Sequence, residues 1–89
     1  MALAQHVDGH LEMFKVANGA LVQNWQRGSR SAKWSGWQVL DKSLTYVEVV
    51  GATTGLDGNV NVLAETKQGH VAWWFDHLVG KWNGPAPAG

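Results

Sequence analysis

The 89-residue sequence predicts an all-β protein made of two similar four-stranded antiparallel units. Three observations carry this expectation: short alternating apolar runs bounded by turn residues, no helical periodicity, and an internal echo about 49 residues apart. Asp8-Gly9-His10-Leu11-Glu12-Met13-Phe14 is matched by Asp57-Gly58-Asn59-Val60-Asn61-Val62-Leu63, a turn followed by apolar residues at the same offsets.

The elements follow in order. Leu11 to Val16 and Leu21 to Trp25 flank Ala17-Asn18-Gly19-Ala20, a hairpin with glycine available for positive φ. Trp34-Ser35-Gly36 opens a loop leading into Trp37-Gln38-Val39-Leu40. Thr45 to Val50 is a β-branched and aromatic strand bounded by Ser43 and Gly51. Val60 to Glu65 and His70 to Phe75 flank Thr66-Lys67-Gln68-Gly69 as the second hairpin. Matching Gln68-Gly69 to Asn18-Gly19 moves the spacing to 50, whereas pairing Trp25 with Trp74 keeps it at 49. Trp82-Asn83-Gly84 echoes Trp34-Ser35-Gly36 at 48. Pro85-Ala86-Pro87-Ala88 then falls where the first copy has Trp37 to Leu40, and proline tolerates only an edge strand or coil there.

Repeats of 40 to 50 residues with about four short strands each are the pattern of β-propeller blades. Residues 1–43 form the first blade and 44–89 the second. A blade is apolar on both faces and needs a neighbour on each side, so homo-oligomerisation is expected to complete the ring. A trimer or a tetramer closes it most easily. In the repeat frame the counterpart of Tyr46 to Val49 would precede Met1, so the first blade is expected to lack its leading strand and to borrow one from a partner subunit.

Composition narrows the function. Seven basic and seven acidic residues are scattered without a basic run, which excludes a phosphate-tracking surface and makes nucleic acid an unexpected partner. No apolar run approaches the roughly 20 residues of a membrane span, and Met1 to His6 has neither a cationic start nor a hydrophobic stretch. The protein is expected to be soluble, its compartment open between cytoplasm and leaderless secretion. Without cysteine there is no disulfide and no thiolate metal site to reinforce a domain that buries roughly 60 to 65% of its unfolded surface. Association is the remaining device.

Asp8-Gly9-x-Leu11-Glu12, Asn18-Gly19-Ala20-Leu21, Asn24-Trp25-Gln26 and Trp34-Ser35-Gly36-Trp37 together resemble the repeat of bacterial PLL-type propeller lectins. The resemblance is close in the first repeat and looser in the second. It implies a propeller ring that binds fucose or a related sugar. Val22-Gln23 stands where that family's repeat carries Trp-His, and Pro85 replaces the second Trp of the tetrapeptide, so sugar identity does not follow from the resemblance. Two-blade chains are also similar in assembly to small fucose-binding lectins that trimerise into six-bladed rings.

Sugar recognition needs flat aromatic faces for the C–H side of a pyranose and fixed polar groups for its hydroxyls. Six tryptophans lie among polar residues on the second hairpin strands and their loops. The expected sugar-binding set is Trp34, Trp73, Trp74, Trp82, Asn24, Arg27, Glu65 and His70. Trp25 and Trp37 are read as packing between blades. Trp73 and Trp74 are consecutive and point to opposite faces, so one of them is expected to be exposed. His6 and His10 lie four apart across an Asp-Gly turn, a spacing read as giving no shared face, and no metal or cofactor is expected. Asp8-Gly9 and Asp57-Gly58 are read as hairpin turns rather than calcium loops. No catalytic motif appears, so the chain is read as a non-enzymatic lectin. The alternative is a propeller scaffold that binds protein.

Overall fold

A computed structural model describes residues 1–89. It has no helix and eight strands: β1 (Ala2–Gln5), β2 (Leu11–Ala17), β3 (Ala20–Trp25), β4 (Gln38–Asp41), β5 (Tyr46–Thr54), β6 (Val60–Thr66), β7 (Gly69–Asp76) and β8 (Lys81–Pro87). These form two four-stranded antiparallel meanders, β1-β2-β3-β4 and β5-β6-β7-β8.

Local chemistry sets the hairpins. Asn18 at φ 53° and Gly19 at φ 76° make a two-residue turn with both φ positive, the type that fits the twist of the flanking strands. In the second hairpin Thr66 braces the turn: its hydroxyl donates to the Gly69 carbonyl at 2.7 Å and accepts the Gln68 N–H at 3.0 Å. Glu12↔Trp25 in the first sheet corresponds to Asn61↔Trp74 in the second, and Ala17↔Ala20 to Thr66↔Gly69. The spacing is therefore 49 throughout both hairpins. The expected drift to 50 does not occur, because each turn places two residues between its strand ends. Beyond the hairpins, Gln26↔Trp34 corresponds to Phe75↔Trp82, so the spacing of 48 for these two tryptophans stands.

The leading strand expected to be missing from the first sheet is present. β1 pairs with β2, with Leu3 opposite Met13. The expectation failed because β5 does not stop at Gly51 but runs through it to Thr54, with a register shift between Val49 and Gly51. The counterparts of Ala52, Thr53 and Thr54 are Leu3, Ala4 and Gln5, which lie within the chain. No partner subunit is needed to supply this strand. The prolines fall on β8, an edge strand, where a missing N–H costs no ladder bond.

The two sheets bury unlike faces against each other. The core takes Ala4, Phe14 and Leu21 from the first sheet and Tyr46, Val60, Val62, Ala64, Val71 and Trp73 from the second. In the 49-residue frame the inward Glu12, Phe14 and Val16 correspond to Asn61, Leu63 and Glu65, which face outward. A sandwich related by a two-fold axis would bury the same face twice. Here the packing is head to tail and leaves one face of each kind uncovered. The outer face of the first sheet carries Leu3, Met13, Lys15 and Val39, with the Lys15 ammonium 4.2 Å from the centre of the Trp37 ring. The outer face of the second carries Asn61, Leu63, Glu65, His70 and Trp74.

Tyr46 pins the sheets together. Its hydroxyl donates to Asp41 Oδ2 at 2.7 Å and accepts the Trp73 indole N–H at 2.9 Å. Burial first and the Asp41 carboxylate second push its phenol up to about 12, with the Trp73 donor working the other way. Tyr46→Phe leaves the buried indole N–H without an acceptor and is expected to cost about 1–3 kcal/mol at pH 8. The native state holds a proton that the unfolded chain releases above a pH of about 10. Stability from this group is thus whole below that pH and declines as pH rises toward 12. Urea unfolding of both proteins at pH 8 and pH 11 checks this: the gap between them should narrow at the higher pH.

Candidate functional site

The β1–β2 hairpin brings distant-looking residues together at one end of the sheet junction. Gln5 pairs with Leu11, and beyond that pair the His6 N–H donates to the His10 carbonyl at 2.8 Å. His6 and His10 therefore sit opposite each other across a tip of Val7, Asp8 and Gly9, not on unrelated faces. Their rings stack with centroids 4.1 Å apart and planes 4° from parallel. The expectation of no shared face is corrected here. The turn folds back on itself, so a separation of four becomes a cross-strand pair.

Glu12 lies two residues along β2 from His10 and points the same way, into the junction. The His6 Nε2–H donates to Glu12 Oε1 at 2.6 Å, while Glu12 Oε2 is buried with no partner. Gln23, opposite Phe14 on β3, also buries its Oε1 without a partner. Orphaned buried acceptors are rare, because each forfeits about 1–3 kcal/mol of hydration.

Glu12 and Gln23 both line a pocket of about 260 Å³ between the sheets, whose other walls are Trp25, Phe75 and Trp82 with His6 and His10. The aromatic walls are braced against one another. Trp82 meets Phe14 edge-on at 5.7 Å and Phe75 at 5.4 Å, and Phe75 meets the His6 ring at 5.3 Å. On the first-sheet side Gln26 holds the edge, its Oε1 accepting the Leu11 N–H and its Nε2 donating to the Ser31 carbonyl, both at 3.0 Å.

Outside this pocket the His10 Nδ1–H donates to Asp8 Oδ1 at 2.5 Å, and the His10 backbone N–H donates to the same oxygen at 3.0 Å. The backbone bond, then the ring bond, hold the Asp8 carboxyl below its ordinary value. A second, polar cleft adjoins, lined by Asp8, His10, Trp25, Gln26, Arg27 and Gly28. Trp25 and His10 are shared walls of the two.

The sequence-expected residues scatter. Trp82 lines the inter-sheet pocket and Arg27 the adjoining cleft. Trp73 packs in the core, 8% exposed and hydrogen-bonded to Tyr46. Trp74, Glu65 and His70 share the outer face of the second sheet, and Trp74 is 37% exposed. Asn24 is buried, its Oδ1 accepting the Gly36 N–H at 3.1 Å and the Ser35 hydroxyl at 3.3 Å, which ties down the loop bearing Trp34. Trp34 bridges to Gln26 and lines neither pocket.

His6, His10, Glu12, Gln23 and Phe75 were missed, and Trp25 was read as packing between blades ahead of binding. A signal existed: Glu12 and Gln23 stand at inward positions of strands whose other inward residues are apolar, and a polar residue there asks for a partner. No family model matches the chain, and no curated protein matches it.

Proposed function

We propose that this chain is a non-catalytic carbohydrate-binding protein whose copies associate head to tail into a closed β-propeller ring. The observation that carries the sugar reading is the inter-sheet pocket, lined by Trp25, Phe75 and Trp82 together with Glu12 and Gln23, each of which has one unpartnered side-chain oxygen. A pyranose offers what each lacks: an apolar C–H face for the rings and hydroxyl donors for the oxygens. At about 260 Å³ the space lies just below the roughly 300 Å³ at which pockets for drug-sized ligands begin, a size suited to one monosaccharide. The repeat resemblance favours a fucose-like deoxyhexose.

The ring reading rests on the unlike faces. Because the sheets within one chain pack head to tail, the same operation applied between copies covers both outer faces, and it closes as a trimer or tetramer of two-blade chains. In the repeat frame Trp74 corresponds to Trp25, and Trp34 to Trp82. Ring closure would then set Trp74 of one copy against Trp34 of the next, a second pocket with Asn61 in place of Glu12. Glu65 and His70 lie on the same face as Trp74. The two kinds of pocket would differ in charge, one acidic within the chain and one neutral between chains, and repetition would raise avidity.

Calorimetry with L-fucose and a panel of other monosaccharides tests the sugar reading. Saturable binding that weakens about ten-fold, or 1.4 kcal/mol, in Trp25→Ala with unchanged circular dichroism is expected. No heat with any sugar would overturn it. Native mass spectrometry tests the ring separately: a trimer or tetramer is expected, and a monomer at micromolar concentration would overturn that part.

A further inference from the structure

We propose that His6, His10 and Glu12 bind a divalent transition-metal ion of the zinc class at the hairpin end of the inter-sheet pocket. This goes beyond the sugar reading and does not depend on it. The three residues each bring one ligand atom to within 4.8 Å of the others, and nowhere else in the chain do three His, Asp or Glu side chains converge in this way. Two imidazoles and one carboxylate form a donor set suited to zinc, and three protein ligands leave a fourth position open.

Two further observations point to a cation. Glu12 is 3% exposed, and its Oε2 has no donor, although a carboxylate taken out of water requires compensation at both oxygens. The bond from His6 satisfies only Oε1. An ion beside the carboxylate would supply the missing positive partner. The second is at His10, whose Nδ1–H is committed to Oδ1 of Asp8, a residue with a 65% exposed side chain that does not line the inter-sheet pocket. That bond fixes the tautomer and leaves Nε2 with its lone pair, and a carboxylate behind a ligating imidazole is the usual outer support of a metal site.

Metal-ligand bonds of about 2.0–2.2 Å in a tetrahedron set neighbouring donor atoms about 3.3 Å apart, so separations that reach up to 4.8 Å must close while the 2.6 Å contact of His6 with Glu12 opens. His10, at a hairpin tip with its side chain 20% exposed, has more room to move than the buried His6 and Glu12. The ion would displace the His6 to Glu12 hydrogen bond: the Nε2 proton leaves to solvent while Nδ1 takes one up, so that His6 ligates as a neutral imidazole. Gln23 Oε1 and the three aromatic walls remain for a sugar.

Cobalt(II) is the probe, added to protein freed of metal by chelator, with no sugar present. One equivalent per chain with visible absorption of tetrahedral strength is expected, and zinc should abolish the absorption and raise the melting temperature. His10→Ala should weaken cobalt binding at least ten-fold. Asp8→Asn, which keeps the turn acceptor and removes the charge, should weaken it about 10- to 100-fold. Glu48→Gln, an exposed carboxylate at the far end of β5 opposite Glu65, should change nothing. Substituting the buried His6 or Glu12 also disturbs the fold, so the result rests on His10, its side chain 20% exposed, and on the exposed Asp8. Absence of the visible absorption and of any zinc-induced shift would overturn the site, as would unchanged binding in His10→Ala. Because no sugar is used, either outcome leaves the sugar reading to its own calorimetry.

Discussion

Phe14→Ala is expected to remove about 3–5 kcal/mol of stability, a large part of the roughly 5–15 kcal/mol that holds a small domain folded. The melting temperature should fall by at least about 12 °C. Phe14 is fully buried where the sheets meet, with Ala2 and Gln23 as its strand partners and the Trp82 ring edge-on at 5.7 Å. The backbone ladders on both sides prevent the cavity from collapsing, so the cost belongs at the upper part of the range. Leu63 is the informative control, because it occupies the same repeat position and yet is 36% exposed on the outer face. In dilute protein Leu63→Ala should cost less than about 1 kcal/mol. On the proposed ring its effect appears instead as weaker assembly. Thermal melts of both variants over a range of concentrations check the pair, and equal losses would contradict the unlike-face packing.

Gly84→Ala is the second large effect, about 2–6 kcal/mol from overpacking and backbone strain together. Gly84 has φ 141°, and an added Cβ would lie 2.7 Å from Trp73 Cδ2 and 2.9 Å from the Ala72 carbonyl oxygen. Neither neighbour can yield. Ala72 is backbone within β7, and the Trp73 indole is tied to Tyr46 at 2.9 Å. Gly36→Ala separates the two contributions, since Gly36 has φ 81° but nothing within 4 Å of an added Cβ. It should lose only the backbone part, about 1–2 kcal/mol. Urea unfolding of the two variants beside the parent checks the difference.

The second strand pairs of the repeat were legible because alternation and turn residues act over neighbours two to four apart. Leu11 to Val16 against Leu21 to Trp25, and Val60 to Glu65 against His70 to Phe75, appear within one or two residues of those ranges. The opposition of Trp73 and Trp74 was legible for the same reason. Gly51 misled, since glycine reads as a strand end but here lies at a register shift within β5, and that error hid β1. The site was less legible. Trp34 and Asn24 looked like pocket residues by type, yet Asn24 spends its carbonyl oxygen on the loop that carries Trp34. His6 and His10 looked unrelated because the spacing was judged against a helix, whereas a hairpin tip makes them neighbours.

From sequence alone came the all-β class, the two repeats, the hairpin turns and the lack of any long apolar helix, which the structure matches. Each depends on interactions between residues close in the chain, where period and turn chemistry are sufficient. Only the tertiary structure decided which face of each sheet is buried, because both faces of both repeats carry apolar residues and either register of packing satisfies the alternation. That choice joins residues about 50 to 70 apart, placing Phe75 and Trp82 over Glu12 and Gln23. It turned two inward polar side chains, each with one unpartnered oxygen, into walls of a pocket.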